Sequence, residues 1–425
     1  MQFLAGQQRK AADVYHEFPK PFWTLVTATF IDRLGGALLF PFFALYLTDR
    51  FGIGMSEVGV LFAIWALSSF PGSLLGGALA DRMGRKYLLM FSLIASSLST
   101  LAMGFVTTIE AFYLLAAVSG LFTEVGGPAY NAMVADLLPE RQRAQGYGIL
   151  RVAFNVSVVL GPAIGGLLAA RSYLLLFIID AVISALVAVI VFFAMPETRP
   201  APHPDAKAES VGQTFAGYAI PLRDRIFMLF LAASMLAGLV ILNMQTTLGV
   251  YLRDDHGISA SMYGLILSLN AIMVVFLQFP ITRRVTPYPP FMVVAIGTAL
   301  YAIGFAMYGF TSTYALFLLA MVIITIGEML IAPVSQAIVA NLAPEEMRGR
   351  YMAVSGFAWG IPFAVGPMIA GSIMDNYDSR LLWYLCGVVG MLSVGMYLYL
   401  DRSTHLAPQP PEATVSADPP ANPAG

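Results

Sequence analysis

Charge is scarce in this chain. Asp, Glu, Lys and Arg make up 11% of its 425 residues while 58% are hydrophobic, which excludes an ordinary soluble domain, where about a quarter of residues are charged. Cysteine is scarcer still. Cys386 stands alone, so no disulfide can form within the chain and the redox compartment cannot be read from cysteine. Four histidines, His16, His203, His256 and His405, fall in polar stretches, and no paired His/Asp metal set, nucleophile elbow or phosphate loop lies in an apolar run. That pattern argues against an enzyme, a catalytic residue, an organic cofactor or a resident metal. The first twenty residues carry Arg9, Lys10, His16, Glu17 and Lys20 and no apolar core, so a cleavable signal peptide is not expected. The short basic cluster further on has apolar segments on both sides, which argues against a nucleic-acid partner.

What the chain has in abundance is apolar length. Runs able to cross a bilayer, about 20 residues each, fall at roughly 21–48, 55–80, 87–107, 110–138, 144–170 and 173–195, then at 225–252, 259–282, 290–310, 313–341, 348–374 and 379–400. Twelve spans place both termini on one side. Arg33 and Arg151 lie inside spans, and Arg50, Arg171, Arg253 and Arg380 lie on the side opposite the N-terminus; the remaining seventeen of 23 basic residues share the side of the termini. By the positive-inside rule that side is cytoplasmic. The expected organisation is a cytoplasmic segment 1–20, a six-helix bundle 21–195, a polar linker 196–224, a second bundle 225–402 and a disordered tail 403–425 rich in Pro and Ala.

The two halves repeat. Adding 205 carries Tyr46, Leu47, Asp49 and Gly52 onto Tyr251, Leu252, Asp254 and Gly257, Pro128 onto Pro333, Glu140 and Arg143 onto Glu345 and Arg348, and Gly161-Pro162 onto Gly366-Pro367. The register holds without gaps, so each half is expected to be one six-helix unit related to the other by an axis along the membrane normal.

Between the second and third spans lies GGALADRMGRK, residues 76–86. Small residues there let a neighbouring helix approach closely, and the charges suit a membrane face. The run resembles the signature loop of the major facilitator superfamily, Gly-x-x-x-Asp-Arg-x-Gly-Arg-Lys, through Gly77, Asp81, Arg82, Gly84, Arg85 and Lys86. The resemblance implies an all-α membrane fold of two pseudo-symmetric six-helix bundles around a central cavity. It also implies a charge latch in which Asp136, at the end of the fourth span, joins Asp81 and Arg85. The fifth span ends in Gly161, Pro162, Gly165 and Gly166, similar to the antiporter motif of the superfamily's drug:proton exchangers, with Ser157 in place of the first glycine.

Positions where the repeats differ are released from the shared architecture. Asp32 pairs with Ala237, Arg33 with Gly238, Glu124 with Met329, and Arg151 with Gly356, whereas Glu328 pairs with Thr123. Charged residues inside spans are costly and mark substrate or proton paths, the rival reading being an ion pair such as Asp32 with Arg33 or Arg151 that locks the bundle. At 1.5 Å per residue, Asp32, Glu124 and Glu328 lie about 18–20 Å from the basic ends of their helices, near the midplane. Glu328, Glu124 and Asp32 are therefore the proton-coupling candidates, with Asp180 a further one. Arg33, Asn131, Arg151, Asn155, Asn243, Asn270 and Ser335 are the candidates for the substrate cavity, with Phe40, Phe43, Trp65 and Trp359 as possible aromatic walls. A carboxyl group in an apolar cavity can exchange its proton near neutral pH, so a proton and a cationic substrate could compete for one site.

The expected function is proton-coupled efflux of lipophilic or cationic small molecules by alternating access, driven by the proton gradient, in a bacterial inner membrane. Its partners would be an amphiphilic substrate, protons and lipids, and it would act as a monomer. The alternatives are a symporter or facilitator of a sugar, organic anion or peptide, and a lipid translocator.

Overall fold

The computed structural model describes residues 17–198, 219–344 and 347–404. The expected tail beyond residue 404 and most of the expected N-terminal segment and linker lie outside the described residues, as do the side chains of Asp81 and Arg82. Within them, twelve helices are long and apolar enough to cross a membrane.

Pro21 sits in the first turn of α1, Lys20–Leu39, where a missing N–H costs nothing. Pro41 then tightens the chain into a 3-10 turn at Phe40–Phe42 before the helix resumes as Phe43–Phe51 and stops on left-handed Gly52, φ 63°. The seventh span repeats this without a proline. It runs Arg225–Ile241, Asn243–Thr246 and Leu248–His256 and stops on Gly257, φ 64°. The resumed segments and their terminal glycines differ by 205 at every boundary. Tyr46 donates to the Met103 carbonyl and Tyr251 to that of Tyr308, again 205 apart.

The remaining spans are α2 Met55–Met83, α3 Arg85–Phe105, α4 in two pieces Ile109–Thr123 and Gly126–Leu137, α5 Glu140–Ala169 and α6 Tyr173–Ala194. After α7, described above, come α8 Ala260–Val285, α9 Pro290–Phe310, α10 Tyr314–Leu342, α11 in two pieces Arg348–Ser355 and Phe357–Asn376, and α12 Arg380–Ser403. Side chains such as Phe193, Phe279 and Phe310 are 79%, 75% and 77% exposed. Such an apolar exterior suits lipid, with backbone polar groups satisfied inside the helices; the chain is an integral membrane protein.

The cores show how the spans group. Near the face that carries Arg85, one cluster joins Phe22, Leu89, Met133 and Val191 from α1, α3, α4 and α6. A separate one joins Phe230, Phe291, Ile338 and Tyr397 from α7, α9, α10 and α12. Toward the opposite face a single cluster takes in Phe42, Tyr46, Phe62 and Phe177 together with Tyr251, Tyr263, Phe305 and Trp383. Apolar packing therefore joins the two groups of helices toward one face, while toward the Arg85 face each keeps its own core.

Candidate functional site

The signature loop is tied down by a carboxylate the loop does not contain. Gly84 takes φ 96°, and a side chain there would press on Glu197. Glu197 accepts the N–H groups of Arg85 and Lys86 at 2.9 and 3.2 Å, which caps the orphan donors at the start of α3. Lys86 donates to the Phe192 carbonyl at 2.7 Å. Arg85 Nε lies 2.9 Å from Asp136 Oδ2, so this pair of the expected latch is together, at the end of α4. All these partners lie on α3, α4 and the end of α6. Sequence reasoning missed Glu197; the signal was an acid directly after the last apolar residues of the sixth span.

At the opposite face the halves meet by close backbone approach. A Cβ on Gly371 of α11 would collide with the Met55 carbonyl, and one on Gly59 with the backbone of Met368. The repeat mates of these glycines, Gly166 and Gly264, bring α5 and α8 together in the same way, with a Cβ on Gly264 coming 2.7 Å from the Pro162 carbonyl. Gly161 and Gly165 instead admit α1, at Ala37 and Leu38. Ser157, in place of the motif's first glycine, donates to Phe30 of α1 at 2.8 Å. Phe363 closes this seam, 6.1, 5.7 and 5.5 Å from the rings of Phe40, Phe62 and Trp65.

Polar contacts add to the seam. Asp375 accepts N–H groups from Met55 and Ser56 at 2.8 and 2.7 Å, a carboxylate from α11 capping α2. Arg253 donates to the Leu45 carbonyl at 3.2 Å and to Thr48 Oγ1 at 3.0 Å. Neither Asp375 nor Arg253 was a sequence candidate. The available signal was a repeat mismatch, since their mates are Ala170 and Thr48.

On the Arg85 side of this seam the halves enclose a cavity of about 1370 Å³. Its wall is largely apolar and aromatic, with Tyr147, Phe230, Tyr301, Trp359 and Tyr397. Of the substrate-cavity candidates, Asn131, Arg151 and Ser335 line it, and Gln336 joins them. Arg151 is the one charged side chain among the described lining residues.

The other candidates lie elsewhere. Asp32, Arg33 and Glu124 line a side chamber of about 390 Å³ walled by α1, α3, α4 and α6. Asn131 lines both this chamber and the central cavity, so it stands where the two adjoin. Arg33 also sits 5.9 Å over the ring of Phe154. Glu124 is the residue at which α4 breaks. A smaller chamber of about 180 Å³ holds Asp180 with Phe40, Phe43 and Trp65, and shares Ser96 and Thr123 with the first. Glu328 lines none of these three spaces. Its Oε2 accepts from Asn270 Nδ2 at 2.7 Å, and the same amide donates to Thr325 at 3.0 Å. Asn243 is likewise committed, donating to the Leu239 carbonyl at 2.8 Å and accepting from Thr247 at 2.8 Å. Asn155 is not among the residues lining these spaces.

The Major Facilitator Superfamily profile matches residues 25–251 and 234–422. A Na(+), Li(+), K(+)/H(+) antiporter of Planococcus maritimus is 28% identical over 390 residues, spanning 85% of this chain and 91% of the relative. The quinolone resistance protein NorA of Staphylococcus aureus (strain MSSA476) is 22% identical over 398 residues, spanning 91% and 98%. Among solved structures, the nucleoside transporter NupG is similar with a TM-score of 0.73 at 14% identity, covering 90% of this chain and 100% of its own. A peptide transporter POT in complex with sulfate is similar at 0.72 and 18%, covering 90% and 94%. At such identities the structural likeness shows the fold.

Proposed function

The chain belongs to the major facilitator superfamily and is a secondary transporter, and from that premise we propose that it exports lipophilic organic molecules in exchange for protons. The observation that carries this reading is the separation of two spaces. The large aromatic-walled cavity holds Arg151 and no described carboxylate, and the acids line a side chamber that meets it at Asn131. An apolar body with an acceptor or acidic group fits the first, and protons the second. Lipophilic zwitterions and weak acids thus suit the central cavity better than simple cations.

By the positive-inside rule the Arg85 face is cytoplasmic. The cavity then opens inward, the loading state of an exporter. Asp32 and Glu124 carry the proton, and Glu328, held by Asn270, does not. Outward opening would separate Gly59 from Met368, Gly166 from Gly264, and Asp375 from the start of α2. It would also bring the Arg85–Asp136 pair toward the second half, where the pair can act as a latch. Substrate drives this change only through its differential affinity for the two states.

The test is lumenal pH in inside-out vesicles with an acid interior, on adding lipophilic zwitterions, weak acids and cations one at a time. Alkalinisation with members of one class supports the reading and names the class. Silence across all three refutes it.

A second reading is exchange of Na⁺, Li⁺ or K⁺ for protons, the activity named for the Planococcus relative. The acids standing apart from the organic cavity favour it.

A further inference from the structure

The small chamber around Asp180 is built differently from the rest of the helix interior. Asp180 is 7% exposed and reaches from α6 toward α1, filling the notch left by Gly35; a Cβ there would stand 2.5 Å from its Oδ1. Gly35 lies one turn beyond Asp32, so the two carboxylates occupy successive levels of the same bundle. Hydroxyl side chains share the chamber of the inner one. Ser96 and Thr100 approach from α3, and Ser119 and Thr123 from α4.

The Thr123 oxygen is the informative atom. It is sealed from solvent and has no hydrogen-bond partner among the described residues, and Thr123 is a residue that both chambers share. Buried hydroxyls elsewhere in the spans bond a backbone carbonyl, as Ser99, Thr246, Ser268 and Thr298 do. A buried polar oxygen left unpaired costs stability unless a small movement brings it a partner.

A carboxylate, four hydroxyl side chains and a volume of about 180 Å³ suit a hard, singly charged ion with a few waters. Phe40, Phe43 and Trp65 line the same chamber and offer aromatic rings to a cation. An anion would meet Asp180, and no cationic side chain is among the lining residues to balance it.

We propose that Asp180, Thr123 and Ser96 form a binding site for an alkali-metal cation, reached from the central cavity past Asn131 and through the chamber of Asp32 and Glu124. The site deepens the second reading above and rests on it for its role in transport. Ion and organic substrate then occupy different spaces and can be bound together. The path runs inside the first bundle from the open cavity to the aromatic seam, where Phe40 and Trp65 meet Phe363. A change at the seam would therefore be felt at the ion.

The test is equilibrium binding of radioactive sodium to the purified full-length chain in detergent, at constant ionic strength set with choline chloride. Saturable binding displaced by lithium and potassium is expected. Asp180→Asn should weaken it by about tenfold or more, the equivalent of one strong contact. Because that change alters a buried charge, Thr123→Val serves as a second variant that does not, with a several-fold loss expected. Thr286→Val, in the second half, should bind as the wild type does. Unaltered sodium binding in well-folded Asp180→Asn and Thr123→Val overturns the site, as does a wild-type chain with no saturable binding. Neither result touches the efflux reading, which is judged by compound-induced proton movement. Sodium binding of the expected pattern, without sodium-induced proton movement in vesicles, keeps the site and overturns the exchange reading.

Discussion

Two helices at the same place in the repeat behave differently. In α4 the run Glu124-Val125-Gly126-Gly127-Pro128 breaks the helix, and in α10 its mate Met329-Leu330-Ile331-Ala332-Pro333 does not. Both contain the proline, so proline alone does not decide. The two glycines do, because they give up the least helical stability on leaving the helix. The break sets Glu124 at the chamber that Asp32 also lines. The intact α10 presents Glu328 to Asn270, which holds it. One architecture thus yields a half with accessible acids and a half with a pinned one. In the next pair of helices the roles reverse: α11 breaks at Gly356, where α5 has Arg151 and runs on. The arginine that α5 keeps intact is the charge in the central cavity.

The gate shows the same contrast, and removing its asymmetry is the severest way to break it. Asp375 caps α2 across the halves where its mate is Ala170. Asp375→Ala makes the two seams alike and removes two charge-assisted bonds. It should shift the balance away from the closed seam by roughly 3 kcal/mol. Labelling of a cysteine placed at Phe363 should accelerate accordingly, with Cys386 buried and silent.

Next in size is the release of the pinned acid. Asn270→Ala leaves Glu328 without its donor and should lower stability by about 2 kcal/mol, measured as a fall in thermal midpoint. If stability is unchanged, Glu328 is not held as described.

Making α4 resemble α10 is milder. A Cβ on Gly127 meets open space apart from Glu124 Oε2 at 3.9 Å. Gly127→Ala should therefore add up to about 1 kcal/mol of helix stability. Transport should slow at the same time as Glu124 is drawn into the helix. A faster transporter would contradict the role given to the break.

The smallest effect concerns one ring. Phe51 packs against Tyr46 and Phe112, and its mate His256 packs against the mates Tyr251 and Phe317. His256 ends α7 ten residues beyond its membrane-crossing stretch Arg225–Thr246, and burial holds its imidazole below the usual histidine range, only partly offset by Asp255. The unfolded chain therefore takes up the proton first as pH falls. This contribution to stability is present above the ordinary pKa of about 6.5 and is lost below it. His256→Phe should flatten the slope of the thermal midpoint between about pH 7.5 and pH 5.

Much of this was legible in the residues. Apolar length gave twelve spans, and the 205-residue register relates the glycines that meet at the seam, Gly166 with Gly371 and Gly59 with Gly264, although their close approach was not read from it. Position along each helix was legible too, because rise per residue is fixed. Azimuth was not. Asp32 and Glu124 line a chamber with α3 and α6 and not the central cavity, because which side of a helix meets that cavity depends on neighbours that one sequence does not locate. Asn243 and Asn270 are polar and lie within apolar spans, yet their amides are committed to carbonyls, hydroxyls and Glu328. The break in α4 did have a signal, Gly-Gly before a proline shared by both repeats.

The claim on which the account turns is that the first half carries the proton and the second does not. The direct measurement is compound-induced proton movement in inside-out vesicles, with Glu124→Gln and Glu328→Gln compared at equal amounts of folded protein. The account predicts that Glu124→Gln abolishes the movement while Glu328→Gln keeps it. Loss in Glu328→Gln with retention in Glu124→Gln would contradict it and place the coupling acid in α10.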